Sequence, residues 1–401
     1  MKYIPILVVA LGYFVDIFDL TLFNMVRITS LKDLGVPAVQ LVDTGILLLN
    51  TQMIGMLLGG ILWGILGDKK GRLQVLFGSI LLYSVANIGN AFVTSIPLYA
   101  LLRFISGVGL AGELGAGITL ISEILPKEKR GMGTALVASI GVLGASFGGV
   151  MVEHFNWKTC YIIGGVLGLT LLFLRVKVCE SSLFAKAQTN NQIRFGDFKM
   201  LFQSHVRFFK FLKCILVGIP IWFVAGLVMA FSPELAKELQ ITGEITAARS
   251  IGITYLGLSF GDFLSGALSQ FLKSRLKSMI IFQVLLLISI IGLFTTAKGQ
   301  TPHFYYSFCF NIGLFAGFWA VFITIAAEQF GTNLRSTVAT TAPNFVRGAV
   351  IPMTLVFKIL KLHYSLVTSM SIIGSIVMIL AIWSTINLEE TFHKDLDYFE
   401  I

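Results

Sequence analysis

Gly64-Ile65-Leu66-Gly67-Asp68-Lys69-Lys70-Gly71-Arg72 closes a long apolar run, and a worn copy, Gly266-Ala267-Leu268-Ser269-Gln270-Phe271-Leu272-Lys273-Ser274-Arg275, closes another about 202 residues later. A second block behaves the same way. Glu123-Ile124-Leu125-Pro126-Lys127-Glu128-Lys129-Arg130-Gly131 is answered by Glu328-Gln329-Phe330-Gly331-Thr332-Asn333-Leu334-Arg335-Ser336 at an offset of 205. Both keep a gap of seven residues between acid and arginine. Two independent pairs at nearly one offset make the chain two copies of one plan.

That plan belongs in a membrane. Of 401 residues, 56% are hydrophobic and 13% charged, against about 25% charged in soluble proteins. A spanning helix needs about 20 mostly apolar residues. That ruler fits twelve times, at roughly 3–26, 44–66, 73–92, 97–124, 132–152, 158–175, 211–231, 248–271, 279–297, 304–328, 336–359 and 365–387. The expected fold is all-α integral membrane: twelve transmembrane helices in two pseudo-symmetric six-helix bundles. The first bundle is expected over 1–175, a cytoplasmic linker over 176–210, and the second bundle with a short tail over 211–401. The net charge of +9 resolves into an orientation. With the N-terminus cytoplasmic, 20 lysines and arginines fall on that side and 8 on the other, leaving Arg103 and Arg347 inside spans. Basic residues collect on the cytoplasmic side, so both termini and the linker are placed there.

Several classes drop out. Basic residues interleaved with aromatics on a soluble face, the mark of nucleic-acid binding, are missing. The four cysteines show no Cys-x-x-Cys spacing, and no metalloprotease, nucleotide-binding or Gly-x-Ser-x-Gly pattern occurs. No metal, cofactor or enzymatic role is therefore expected. The first apolar segment carries Asp16 and Asp19 and runs too long for a cleaved leader. The lack of any Asn-x-Ser/Thr acceptor leans toward a bacterial inner membrane.

The whole chain resembles a major facilitator superfamily transporter. The Gly-x-x-x-Asp-x-x-Gly-Arg block from Gly64 through Asp68, Gly71 and Arg72 is similar to that superfamily's loop signature. Arg103-Phe-Ile-Ser-Gly-Val-Gly-Leu-Ala-Gly-Glu113, with Ser122-Glu123 and Arg130-Gly131, resembles the metabolite:proton symporter and sugar-porter branches. Gly12-Tyr-Phe-Val-Asp16-Ile-Phe-Asp19-Leu20 resembles the first helix of phosphate and organic-anion proton symporters, and the stretch from Arg335 to Pro352 the eleventh helix of metabolite symporters. Drug:proton antiporters carry Gly-Pro where this chain has Gly144-Ala145, a departure that counts against drug efflux.

Asp16 and Asp19 are three residues apart, hence on one helical face. A carboxylate in the bilayer interior must pair, protonate or face water. Two readings follow for the set Asp16, Asp19 and Arg103: a fixed ion pair joining helices one and four, or a proton site, with Asp16 the preferred carrier. The resemblance implies the second, since a first-helix aspartate and a fourth-helix arginine couple protons in those families. Glu113 is read either as an interhelical hydrogen-bonding group or as a cavity group. Arg347, near Pro343, Asn344 and Pro352 in a helix expected to bend, either pairs with Asp262 or captures an anion through its planar fork; Asp262 is either that partner or a coupling carboxylate, among the candidate substrate-site residues. Trp222, Tyr255 and Trp319 are candidate cavity walls.

The resemblance further implies a cytoplasmic latch of Asp68, Arg72, Glu123 and Arg130, with Glu328 and Arg335 as the pseudo-symmetric counterpart. Gln270 stands where Asp68 would repeat, so that second latch lacks its acid. The expected activity is proton-coupled symport of a small polar metabolite, an organic anion above all, by a monomer that takes only substrate, protons and the lipid bilayer as partners. A proton-coupled exporter of a siderophore or drug is the alternative.

Overall fold

The computed structural model describes residues 4–70, 72–115, 117, 127–175 and 198–392. The long helices of the first half are α1 (Ile4–Asp33), α2 (Leu41–Lys70), α3 (Arg72–Asn90), α4 (Ile96–Leu110), α5 (Lys127–His154) and α6 (Trp157–Arg175). The second half holds α7 (His205–Phe223), α8 (Ser232–Glu238), α9 (Ala247–Phe271), α10 (Arg275–Thr296), α11 (Pro302–Ala316), α12 (Trp319–Glu328), α13 (Thr332–Gly348), α14 (Val350–Leu360) and α15 (Leu366–Ile386). Ten stretches are long and apolar enough to cross a membrane, and a shorter apolar one covers Trp157–Phe173. With α3 these make the twelve crossings, α11 and α12 together forming the tenth and α13 and α14 the eleventh. Most of the expected linker, 176–197, lies outside the described residues.

The repeat seen in the sequence is a repeat of packing. In the first half α1 packs on α5 and α6, α4 on α2 and α3, and α3 on α6. The second half copies this: α7 on α13 and α15, α11 on α9 and α10, and α10 on α15. The halves meet along two seams, α2 against α13 and α5 against α9, and the repeat exchanges one seam for the other. Inside a half the helices approach backbone to backbone. A Cβ added at Gly144 would stand 1.9 Å from the Phe14 carbonyl oxygen, and one at Gly313 1.9 Å from that of Thr254. In lipid such close approach replaces the missing hydrophobic drive between helices.

Among the described residues four crossings are interrupted along their length. α4 stops at Leu110 and turns at Ala111 and Gly112. α11 stops at Ala316, and α12 begins at Trp319. These two breaks are repeat-related, and each falls in a glycine-bearing run of low helix propensity. The crossing expected over 304–328 is present as one span with its break inside it, and the described part of the one expected over 97–124 likewise. α7 gives way at Val224 to a π-helical stretch ending at Val228, where the Met229 N–H reaches the Val224 carbonyl at 2.8 Å. Pro220, one turn earlier, lacks an N–H and crowds the preceding turn. In the eleventh crossing the bend comes at Ala349, after Pro343 has been absorbed into α13.

Beyond α15 the chain folds back on itself. The Glu390 carboxylate accepts from the Ser274 hydroxyl and from the backbone N–H groups of Arg275 (3.0 Å) and Leu276 (3.3 Å), so it caps α10. Partial burial opposes charge on Glu390, but the Ser274 hydroxyl and the N–H groups of Arg275, Phe392 and Leu276 together outweigh it and hold the carboxyl below its usual range. A depressed carboxylate stabilises above its unfolded pKa, about 4.3 for glutamate, and loses that contribution as pH falls through the folded value. Hydrogen-exchange protection of the first α10 amides should therefore fall at acid pH in the wild type, and Glu390→Ala should remove that dependence. For the packing, Gly144→Val is expected to cost about 1–3 kcal/mol by overpacking, read as a lower Tm in detergent.

Candidate functional site

Between the halves, beside the breaks, lies a small, partly open space lined by Tyr13 and Ile17 of α1, Val142 of α5, Ile221 and Trp222 of α7, Tyr255 and Leu258 of α9, Trp319 of α12 and Arg347 of α13. The interruptions aim its walls: Trp222 lies just before the π-helical stretch, and Trp319 opens α12. Arg347 is the charge in it, and 1% of its surface is exposed. Its guanidinium carbon is 5.8 Å from both the Trp222 and the Trp319 ring centres. Its Nη1 donates to Asn344 Oδ1 at 3.3 Å. Asn344 is held in turn by its amide nitrogen, which donates to the carbonyls of Ala111 (3.0 Å) and Thr340 (2.9 Å). The α4 break thus frees a carbonyl that fixes Asn344, and Asn344 fixes Arg347.

The acid facing Arg347 is Asp16, from the other half, with Oδ2 at 3.9 Å from Nη2. Arg347 Nε and Nη2 have no hydrogen-bond partner, and neither does the buried Trp319 Nε1. Three N–H-bearing nitrogens therefore border this space unmatched. Buried donors without acceptors are costly, and guanidinium forks match carboxylate geometry, so the arrangement is suited to an anion flanked by indole faces.

The set Asp16, Asp19 and Arg103 divides in two. Asp19 turns into the first half, where Arg103 and Asn87 are the polar groups acting on it. It lies so close to α6 that a Cβ at Gly164 would be 2.0 Å from its Oδ1. Arg103, fully buried, donates to Asn87 (2.8 Å), Ser106 (3.3 Å) and Gln52 (3.4 Å) and stands over the Tyr161 ring at 5.2 Å. Three residues of helix leave about 60° between two side chains, enough for Asp16 to face the other half and Asp19 its own. Glu113 is buried just beyond the α4 break. Asp262 does not form the expected ion pair with Arg347; its Oδ1 accepts from the Ala320 N–H at 3.1 Å.

At the face bearing the termini, Glu328 forms a two-pronged pair with Arg275, at 2.6 and 2.7 Å, in place of Arg335. Arg275 stands where Arg72 repeats in the sequence, and both partners of this pair belong to the second half. Arg335 is half-buried in the first turn of α13, and Gly64 faces Thr341 across the α2 seam. Glu123 and Gly71 lie outside the described residues, as do the side chains of Asp68, Arg72 and Arg130.

The opposite face carries charges that the sequence reading treated only as flanking ones. Arg27, 1% exposed, pairs with Glu234 of α8 at 2.5 Å and lies over the Phe231 ring. Asp43 takes Lys361 at 3.0 Å, and Glu153 takes Arg249 at 2.9 Å. Each pair joins one half to the other. Arg27 escaped notice because its helix runs to Asp33, a turn and more past the expected end at 26.

Two bundles enclosing a charged space at mid-depth define a membrane carrier. The chain belongs to the Major Facilitator Superfamily, whose family model matches residues 9–351. It is 28% identical over 408 aligned positions to a putative metabolite transport protein of Haemophilus influenzae, covering 97% of this chain and 96% of the relative. It is 33% identical over 179 residues to the niacin transporter NiaP of Acinetobacter baylyi, covering 43% of this chain and 40% of that one. Its fold matches the proton:xylose symporter XylE bound to 6-bromo-6-deoxy-D-glucose with a TM-score of 0.76 at 17% identity, over 99% of this chain and 98% of that one. The protein is accordingly a multi-pass membrane transporter and not an enzyme.

Breaking a buried pair leaves its partner uncompensated. Arg27→Gln should therefore lower the Tm and raise the reaction of a cysteine placed at Ile17 with a membrane-impermeant maleimide added on the Arg27 side. Labelling unchanged from the parent would deny Arg27 a closing role.

Proposed function

We propose that the protein is a proton-coupled symporter that imports a small organic anion, with the carboxylate docking on Arg347 and the proton carried by Asp16. The observation that carries this reading is the buried Arg347, with two nitrogens lacking acceptors beside the unmatched Trp319 N–H. The niacin transporter among the relatives adds chemical sense, since niacin is a ring bearing one carboxylate, a shape suited to two indoles and a guanidinium.

Charge counting supplies the coupling. Empty, the space holds Arg347 positive and Asp16 negative. An anion on Arg347 would bring two like charges together beside Asp16, and like charges disfavour joint ionisation. Once Asp16 takes up a proton, the loaded space returns to zero net charge. The empty and fully loaded forms are both neutral and can pass through the low-dielectric interior. A form with only the anion or only the proton carries a net charge that the interior penalises. One proton therefore accompanies one monocarboxylate, and the cycle moves no net charge. Asp19 stays with Arg103 inside the first half, while Asn344, Trp222 and Tyr255 shape the space.

In this proposal the two bundles, 1–175 and 211–401, rock about the space with 176–210 as linker, in a bacterial inner membrane with both termini cytoplasmic. The excess of basic residues on the terminal side supports that orientation.

In proteoliposomes, nicotinate uptake should follow an imposed pH gradient and ignore a potassium diffusion potential. Asp16→Asn should lose pH-driven accumulation yet keep exchange, and Arg347→Gln should weaken binding by tenfold or more, about 1.4 kcal/mol. Accumulation by Asp16→Asn against a gradient would sink the proton assignment. Outward-only transport in oriented vesicles would instead make the protein an exporter.

A further inference from the structure

Asp262 sits fully buried in the middle of α9, and among the described residues no ion pair holds it there. Its surroundings do. α9 and α11 touch through their backbones: a Cβ at Gly257 would lie 2.2 Å from the Phe310 carbonyl oxygen, and one at Gly261 2.0 Å from that of Leu314. This contact carries Asp262 to the place where the tenth crossing breaks. Gly317 and Phe318 leave the helical conformation there, and α12 restarts at Trp319 with no side-chain cap from Phe318. The first turn of any helix has N–H groups with no partner inside the helix. Asp262 Oδ1 takes the Ala320 N–H, the second of this helix, at 3.1 Å. The cap that Phe318 does not supply thus comes from another helix, as a carboxylate at the positive end of the helix dipole.

The first residue of the helix so capped is Trp319. Its indole covers Arg347, and its ring nitrogen has no acceptor. We propose that Asp262 is a positioning residue: it anchors the first turn of α12 and so fixes Trp319 over Arg347, setting the affinity for the anion without touching it. The effect on affinity rests on the anion site proposed above; the placement of Trp319 does not.

Two measurements separate these layers. The full chain, labelled with 5-fluorotryptophan, has five tryptophans, and Trp319→Phe assigns one fluorine resonance. Without ligand, Asp262→Ala should shift and broaden that resonance. Asp262→Asn, which keeps an oxygen acceptor, should leave it near its wild-type position. Nicotinate binding should weaken about five- to tenfold in Asp262→Ala, the scale of a lost helix cap, and less than threefold in Asp262→Asn. In a Trp319→Phe background, Asp262→Ala should weaken binding no further. If the alanine variant does not fold, Asp262→Leu, close in size and without an acceptor, takes its place.

An unmoved resonance in the variant lacking the acceptor overturns the proposal. So do additive losses in the double variant. Asp262→Asn losing pH-driven accumulation while keeping exchange would overturn it too, by making Asp262 a proton carrier. If the resonance moves but the wild type binds no organic anion, the positioning role stands and the anion reading falls.

Discussion

A guanidinium in the centre of an apolar bundle has to be balanced, and the way Arg347 is balanced governs the rest of this molecule. Its counter-charge, Asp16, comes from the opposite half at 3.9 Å, so the two halves share one neutral centre. Its orientation comes from Asn344, which depends on a carbonyl exposed where α4 breaks. Its walls come from tryptophans beside the interruptions of the seventh and tenth crossings. Each irregularity in the helices therefore has a place in holding one cation where water is scarce. Irregular backbone at membrane depth is tolerated where it lines a cavity or is buried in protein, and here it does both.

The two halves are alike in backbone packing and unlike in chemistry. The first keeps a second buried cation, Arg103, satisfied by Asn87, Ser106 and Gln52 within the half. The second half instead offers Asp262 as a helix cap at its break. One half is thus internally settled, while the charge of the other is settled across the interface. Only the latter arrangement spans the interface between the halves.

The fold was legible because its signals are local. Twelve apolar runs, two repeated loop blocks and a one-sided excess of lysine and arginine need no tertiary information. The site was half legible. Arg347, Asp16, Trp222, Tyr255 and Trp319 stood out as polar or aromatic residues inside spans; four of them line the space between the halves, and Asp16 stands behind it as the acid facing Arg347. Their pairing was hidden, because it depends on which way each side chain turns from its helix. Asp16 and Asp19 differ in direction by less than a turn, yet they serve different halves. Asp262 was open to two readings, a partner for Arg347 or a coupling carboxylate, whereas the acceptor it supplies goes to the Ala320 backbone N–H, left free because the tenth crossing breaks. Arg27, Asp43 and Arg249 were hidden for another reason. A charge near a helix end reads the same whether it meets lipid headgroups or another helix.

The seam between α5 and α9 is built from small residues. Gly149 lies against Ala248 and Gly252, the Ser146 hydroxyl donates to the Gly252 carbonyl at 2.8 Å, and the Ser259 hydroxyl donates to the Ser139 carbonyl at 2.8 Å. Such a surface has little relief. Large interdigitated side chains would have to leave their sockets before one helix slid past another, whereas glycine and serine present nearly the same profile at neighbouring registers. Friction along this seam is then limited to two hydroxyl bonds and the Arg249–Glu153 pair at its end. The seam is smooth, and the buried or charged contacts that tie the halves together elsewhere, Arg27–Glu234, Asp43–Lys361 and Arg347–Asp16, are made by other helices.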